Sequence, residues 1–529
     1  MSQLTPDPEP PVEQAGAVKE QGLLKSSGLT GSMTMVSRVL GLARDIAIAR
    51  LFGTSDGADA FFLANKIPNF LRRLFAEGAF NQAFVPVLSE YRSTKSHQDV
   101  RSLVNAVAAS LGGLLATVTA IVLIIAPLLA VPLAYGFIDE PVKFDLFIEM
   151  LRITFPYLLL ISMAALCSAT LNSYGKFAIP ALTPALLNVS LIGSAFLLAP
   201  HLSTPELALA WGVLIAGFAQ LLFQLPFLAQ IDLLPVPKRQ KAHEGVLRIK
   251  RLMIPALFGV SISQINLLLD TFIASLLIGG SVSWLYYSDR LMELPLGTFG
   301  IAIAIVVLPS LSRRHAEKSM EEFSATLDWA FRIVCLIAFP ASLALVLIAE
   351  PLLITLFLND KFIMTDVIES AGSLRAYSAG LLAFMAIKIF APGFYARQNT
   401  TTPVKIGLIA MVANMVMNLG FYWFGLAHVG LALATSLAAF LNAGLLVLAL
   451  RKEEVFSFQA GWLVFILRLI FANIAMAFFL LYMKGEWEVW ATMSMWVRIA
   501  HMAAMVLGGA GIYLLCLVLT GLRWRDVYR

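Results

Sequence analysis

Apolar stretches of membrane-spanning length, separated by short polar breaks, fill the chain from about residue 26 to its end. A helix rising about 1.5 Å per residue needs about 20 mainly apolar residues to cross a hydrocarbon core of about 30 Å. By that rule the pattern predicts fourteen helical segments, near 26–52, 58–90, 103–137, 146–172, 179–200, 206–230, 252–278, 283–312, 327–358, 367–396, 404–425, 428–450, 460–483 and 493–521. Lysine and arginine in the breaks test the count, because they concentrate on the cytoplasmic side of a membrane. With the N-terminus inside, the inner breaks and tails hold 22 of them and the outer breaks hold three, Lys143, Lys361 and Lys484. A helix missed or added early in the chain would destroy that bias. An even count with both termini inside is therefore expected.

Composition narrows the class further. Of 529 residues, 59% are apolar and 13% charged, with a mean hydropathy of +0.81. The charged share is roughly half of the ~25% usual in soluble domains, which excludes soluble enzymes and nucleic-acid binders. The net charge of +5 says less than the positions of the charges. Cys167, Cys335 and Cys516 lie in separate apolar stretches and read as buried small hydrophobes. Residues 1–25 begin rich in proline and acid, without the basic start and apolar core of a signal peptide, and read as a disordered cytoplasmic tail. The longest inner break, 231–251, carries six basic residues and suits an anionic inner leaflet as well as it suits a topology-setting linker.

That break divides a repeat. Arg152 and Arg375, Pro180 and Pro403, and Pro86 and Pro309 are each 223 residues apart, and Asp45 and Asp270 match at 225. Four pairs on nearly one offset point to duplication of a six-helix unit. Six is even, so the halves point the same way through the membrane, with a cleft expected between them. The expected fold is an all-α polytopic membrane protein of about fourteen transmembrane helices. Residues 26–230 form one six-helix lobe, 252–452 a second, parallel one, and 453–529 two extra C-terminal helices.

Charges inside the membrane carry the functional signal, since each costs about 2.5–3.5 kcal/mol at mid-bilayer even on lenient scales. Segment 1 contains Arg38, Arg44, Asp45 and Arg50, of which the first three share one helical sector. Segment 2 contains Asp59, Lys66, Arg72, Arg73 and Glu77, and segment 8 contains Asp289, Arg290 and Glu293. Arg38 and Arg72 sit roughly 20 Å along their helices, and Arg44 and Arg290 roughly 12 Å from the outer ends. Internal pairing, Arg44 with Asp59 or Arg290 with Glu293, would only lock helices together. Segments 1, 2 and 8 hold seven basic residues against six acidic ones, one of which, Glu90, lies at the inner boundary. An anionic ligand completes that balance.

The stretches SRVLGLARDIAIARLFG at 37–53, DAFFLANKIPNFLRRLFAEGAFNQAFVPVLSEY at 59–91 and DRLMELPLGTFGIAIAIVVLPSLS at 289–312 resemble the signatures of the MurJ (MviN) family of lipid II flippases. The resemblance implies two six-helix lobes of the multidrug/oligosaccharidyl-lipid/polysaccharide exporter type, with helices 13 and 14 forming a groove for the lipid tail. It implies that Arg38, Arg44, Arg72 and Arg290 bind the pyrophosphate of the undecaprenyl-linked peptidoglycan precursor, supported by Asp59. Lys66, Arg73, Glu77 and Glu293 complete the candidate site. The implied partners are lipid II, membrane lipids and, as a candidate, the cell-wall synthesis machinery, with no nucleic acid. The implied location is the bacterial inner membrane. An exporter of another polyprenyl-linked oligosaccharide or of drugs would share the repeat without needing so many arginines.

No HExxH, CxxC cluster, spaced acidic metal pair or GxxxxGK[ST] loop is present, so neither a metal-dependent transferase nor an ATP-driven pump is expected, and no cofactor is called for. A coupling cation, Na+ or H+, is a separate matter. Asp270 in segment 7, Asn414 and Asn418 one turn apart in segment 11, and Thr435 in segment 12 could together supply oxygen ligands to a small hard cation. The competing reading pairs Asp270 with a basic group from another helix.

Overall fold

A computed structural model describes Met33 and residues 35–74, 80–236 and 243–522, the side chains of 255–256, 258–268, 271, 301–302 and 304–305 excepted. Each of the fourteen apolar segments is predominantly helical where it is described, and no strand occurs among the described residues. In chain order the helices are α1 (35–52), α2 (Asp56–Arg72), α3 (Phe80–Thr94), α4 (His97–Leu133), α5 (Pro141–Thr154), α6 (Tyr157–Ser173), α7 (Ala178–Gly193) and α8 (Leu207–Ala229). There follow α9 (Glu244–Ser275), α10 (Ser281–Pro295), α11 (Ile301–Ala316), α12 (Met320–Leu347), α13 (Ala349–Leu356), α14 (Met364–Ala379) and α15 (Leu381–Tyr395). The last are α16 (Thr401–Trp423), α17 (Ala427–Lys452), α18 (Trp462–Lys484), the short α19 (Trp487–Thr492) and α20 (Met495–Leu519).

Among the described residues, ten spans are long and apolar enough to cross a membrane. They correspond to segments 3–6 and 9–14. Segments 1, 2, 7 and 8 do not reach that threshold because they carry the intramembrane charges or run into residues outside the described set. Segment 2 is divided. α2 ends at Arg72, Arg73 and Leu74 form a wider π turn, and α3 begins at Phe80; Glu77 lies outside the described residues. Segment 8 has a comparable π turn, Leu296–Gly300, directly after Pro295, whose ring removes a backbone donor.

Two compact units emerge. Unit 1 holds the described residues up to Ala47, Leu71–Ile125 and Arg152–Leu257; unit 2 holds Ile48–Phe70, Ala126–Leu151 and the described residues from Phe258 onward. Within unit 1, α8 packs on both α6 and α7, and α3 packs on α6. Within unit 2, α17 packs on α15 and α16 in the same way, α12 packs on α15 and α18, and α18 packs on α20.

The repeat is visible at single hydrogen bonds. Arg152 Nε donates to the Leu123 carbonyl and Arg375 Nε donates to the Val346 carbonyl, each at 3.2 Å, with donor and acceptor both shifted by 223 residues. At the other end of each half, Lys176 donates to Gln230 and Arg397 to Glu453, where the acceptors again differ by 223 positions.

Candidate ligand-binding site

In unit 1, α1 carries Arg38 and Arg44, and Arg44 meets polar partners. Arg44 donates through Nε and Nη2 to the adjacent Asp45, at 3.0 and 2.7 Å, and through Nη1 to Asn188 Oδ1 on α7 at 3.0 Å. Asn188 in turn donates to the Ser37 carbonyl at 3.0 Å, so one buried amide fixes both the backbone beside Arg38 and the plane of the Arg44 guanidinium. The sequence offered Asp59 as a partner for Arg44; the partner is Asp45. Asn188 was not foreseen, because a single amide in an apolar run ordinarily signals only a cross-helix bond.

Arg72 lines a cavity of about 630 Å³ in the same unit. Its wall includes Asn81 and Ser89 of α3, Ser168 and Asn172 of α6, and Gln220 of α8. Tyr157 donates to Gln220, Gln220 to the Thr183 carbonyl, and Ser168 to Gln224, so a band of polar groups crosses a mainly apolar wall that carries no carboxylate among the described residues. Arg38 and Arg73 are half-buried, and neither has an ion pair among the described residues.

In unit 2, Arg290 of α10 pairs with Glu293 at 2.7 Å and lies over the Tyr286 ring, 5.1 Å from its centroid. Both charged groups are about two-fifths exposed, so the pair stays accessible. Asp59 has a different place. Its carboxylate, 1% exposed, accepts from Ser283 Oγ at 2.6 Å, Gly280 N at 2.8 Å, Ser283 N at 2.9 Å and Lys143 Nζ at 3.3 Å. Lys143, which reads in the sequence as a solvated outer lysine, is 3% exposed and also meets Asp56 at 2.8 Å. Beside it, Thr54 and Trp284 Nε1 both donate to Asp366, at 2.6 and 2.9 Å. Asp59 therefore fastens helix ends together, and no arginine pairs with it among the described residues.

The expected cation ligands meet. Asn418 Nδ2 donates to Asp270 at 2.7 Å and to Asn414 Oδ1 at 3.0 Å, and Asn414 Nδ2 donates to Thr435 Oγ1 at 3.4 Å. Carboxylate, amide and hydroxyl oxygens are the hard donors a small cation takes. Lys66 of α2 acts electrostatically on Asp270, which is the competing partner the sequence allowed.

The match to known proteins decides the family. The model of the family "Lipid II flippase MurJ" matches residues 48–501. The chain belongs to the lipid II flippase MurJ family. It is 47% identical over 504 residues to the probable lipid II flippase MurJ of Haemophilus influenzae, covering 93% of this chain and 98% of that one. The Vibrio cholerae relative of the same description is 48% identical, covering 94% and 95%, and the lipid II flippase MurJ of Burkholderia cenocepacia is 41% identical, covering 93% and 96%. A solved lipid II flippase MurJ in an inward closed conformation superposes with a TM-score of 0.78 at 25% identity, over 95% of this chain and 100% of that one. An inward-facing multidrug transporter of the MATE family superposes at 0.64 and 15% identity, over 81% and 98%, which extends the fold beyond the family. The chain is thus a polytopic membrane transporter of the MurJ type.

Proposed function

We propose that this protein moves lipid II from the inner to the outer leaflet of the bacterial cytoplasmic membrane by alternating access, with both termini cytoplasmic. Family membership supports the substrate. The residue-level support is the arginine set: guanidinium groups on α1, α2 and α10 in segments where each charge is costly. A diphosphate presents several acceptor oxygens and about two negative charges, the chemistry that planar guanidinium forks bind best. Arg38, Arg44, Arg72 and Arg290 take the pyrophosphate, and Asp45, Asn188 and Glu293 hold the forks in register. Lys66 and Arg73 add to the positive field. The prenyl chain stays in lipid. Cell-wall synthesis enzymes that consume the product are the natural partners.

The test is genetic and biochemical together. As sole copy, Arg38→Ala, Arg44→Ala, Arg72→Ala or Arg290→Ala should fail to support growth while membrane levels stay near those of the native protein, and Lys in place of Arg should be poor. Growth of the alanine variants would end the pyrophosphate reading. In proteoliposomes, preference for another prenyl-pyrophosphate oligosaccharide over lipid II would favour the broader exporter reading.

A second reading concerns coupling and is supported by the hydrogen-bonded chain Asp270–Asn418–Asn414–Thr435. A sodium ion there would take the carboxylate, the amide oxygens and the hydroxyl, in competition with Lys66. Transport by the purified protein should then depend on sodium and lose that dependence in Asp270→Asn. Equal rates with sodium and with an impermeant organic cation would remove this role.

A further inference from the structure

Unit 2 contains a second cavity, of about 970 Å³, bordered by α11, α12 and the start of α18. It lies at the helix ends that carry Arg313, Arg314, Arg451 and Lys452, the side that charge bias assigns to the cytoplasm. Three guanidinium groups line it, Arg314, Arg332 and Arg468, none of which belongs to the set described above.

Two carboxylates accompany them, and their work is structural. Asp328, 2% exposed, accepts from Arg332 Nε at 2.8 Å and from Trp462 Nε1 at 2.6 Å. Arg332 also donates to the Ala460 carbonyl at 2.9 Å and lies over the Trp462 ring. This cluster ties α12 to the entry of α18 and shapes the cavity. Glu322 pairs with Arg314, yet Arg314 Nε is buried with no hydrogen-bond partner among the described residues. Arg468 has no carboxylate partner among them either.

Among the described residues, three cations against two carboxylates leave one positive charge and a buried N–H that a ligand can meet. Next to this polar wall, Leu463, Val464 and Leu467 of α18 are more than half exposed, an apolar face continuous with the cavity through Val464. An anionic head beside an apolar face describes an amphiphile. A free anion would have no use for that face.

We propose that this cavity holds the phosphate headgroup of an anionic phospholipid of the inner leaflet, with its acyl chains along α18. Arg468 and Arg314 contact the phosphate, and the Asp328–Arg332 pair positions them. The proposal rests on the cytoplasmic orientation of both termini and is independent of which lipid is transported.

The test uses the full chain in neutral detergent and the fluorescence anisotropy of chain-labelled phosphatidylglycerol. Phosphatidylglycerol should bind roughly tenfold or more tightly than phosphatidylcholine, since its phosphate carries a net charge. Arg468→Gln should remove most of that preference, Arg468→Lys should restore part of it, and Gly113→Ala should leave it unchanged. Millimolar inorganic phosphate should not displace the lipid. Displacement by phosphate alone would make this a free-anion site and overturn the lipid assignment. Equal binding of the two lipids, or a preference indifferent to Arg468→Gln, would overturn the site altogether. If Arg468→Gln does not fold, the native protein decides: the preference must weaken as salt is raised, and a salt-independent preference refutes the guanidinium contact.

Discussion

A guanidinium inside a membrane protein is useful only when its plane is fixed, and here Asn188 fixes it for Arg44 while holding the backbone at Ser37. Asn188→Leu keeps the volume and removes both bonds. Transport in proteoliposomes should fall roughly tenfold, the effect of losing one charge-assisted hydrogen bond, with expression little changed; unaltered transport would mean that Asp45 alone orients the fork. The arginines themselves were legible in the sequence, because a charge in an apolar run announces itself. Asn188 and Lys143 were not. An amide is common in spanning helices, and a lysine between two of them reads as solvated, although Lys143 is enclosed by Asp59, Asp56 and the Phe137 ring.

Helix lengths follow largely from apolar runs, which is why each of the fourteen segments is mostly helical where described. Their interruptions do not follow. The break at Phe155–Pro156 between α5 and α6, the one at Ile348 between α12 and α13, and the π turns at Arg73 and Leu296 depend on local packing that a window average smooths over. Close approaches between elements are equally invisible to such averages. Gly136, just after α4, lies so near the backbone of Ser275 at the end of α9 that a methyl group would overlap the Ser275 carbonyl. Gly53 combines a left-handed φ of 60° with a similar approach to Lys361. Gly136→Ala should therefore lower thermal stability by several degrees and weaken transport, whereas Gly113→Ala on α4, where an added methyl meets nothing, should be silent; equal melting temperatures for the two would refute the close-packing argument.

For the whole molecule, the duplication was readable from residue spacing, and the bonds from Arg152 and Arg375 repeat it in three dimensions. The grouping into units was not readable. The sequence places 26–230 in one lobe, whereas Ile48–Phe70 and Ala126–Leu151 cluster with the later chain, because partners such as Ser283 for Asp59 are chosen by tertiary contact and leave no trace in periodicity. Burial also decides where the topology can be tested. Ser283, at an outer break, is fully buried and unsuited to labelling, while Val142 and Glu486 are exposed. Cysteines at Val142 and Glu486 should react with an impermeant reagent in intact cells, and cysteines at Ser96 and Glu454 only after lysis. Labelling of Ser96 from outside would reverse the orientation.

The glycine contacts at Gly136 and Gly53 carry a kinetic consequence. Backbone pressed on backbone is held by short-range forces that lose roughly a quarter to a half of their strength over a gap of about 0.5–1 Å, and the four bonds to Asp59 lie among the same helix ends. Parting those ends gives up all of these attractions nearly together, leaving no half-parted arrangement of comparable energy. The outer side should thus behave cooperatively, with two well-separated populations and long, exponentially distributed dwell times rather than a continuum of partial openings.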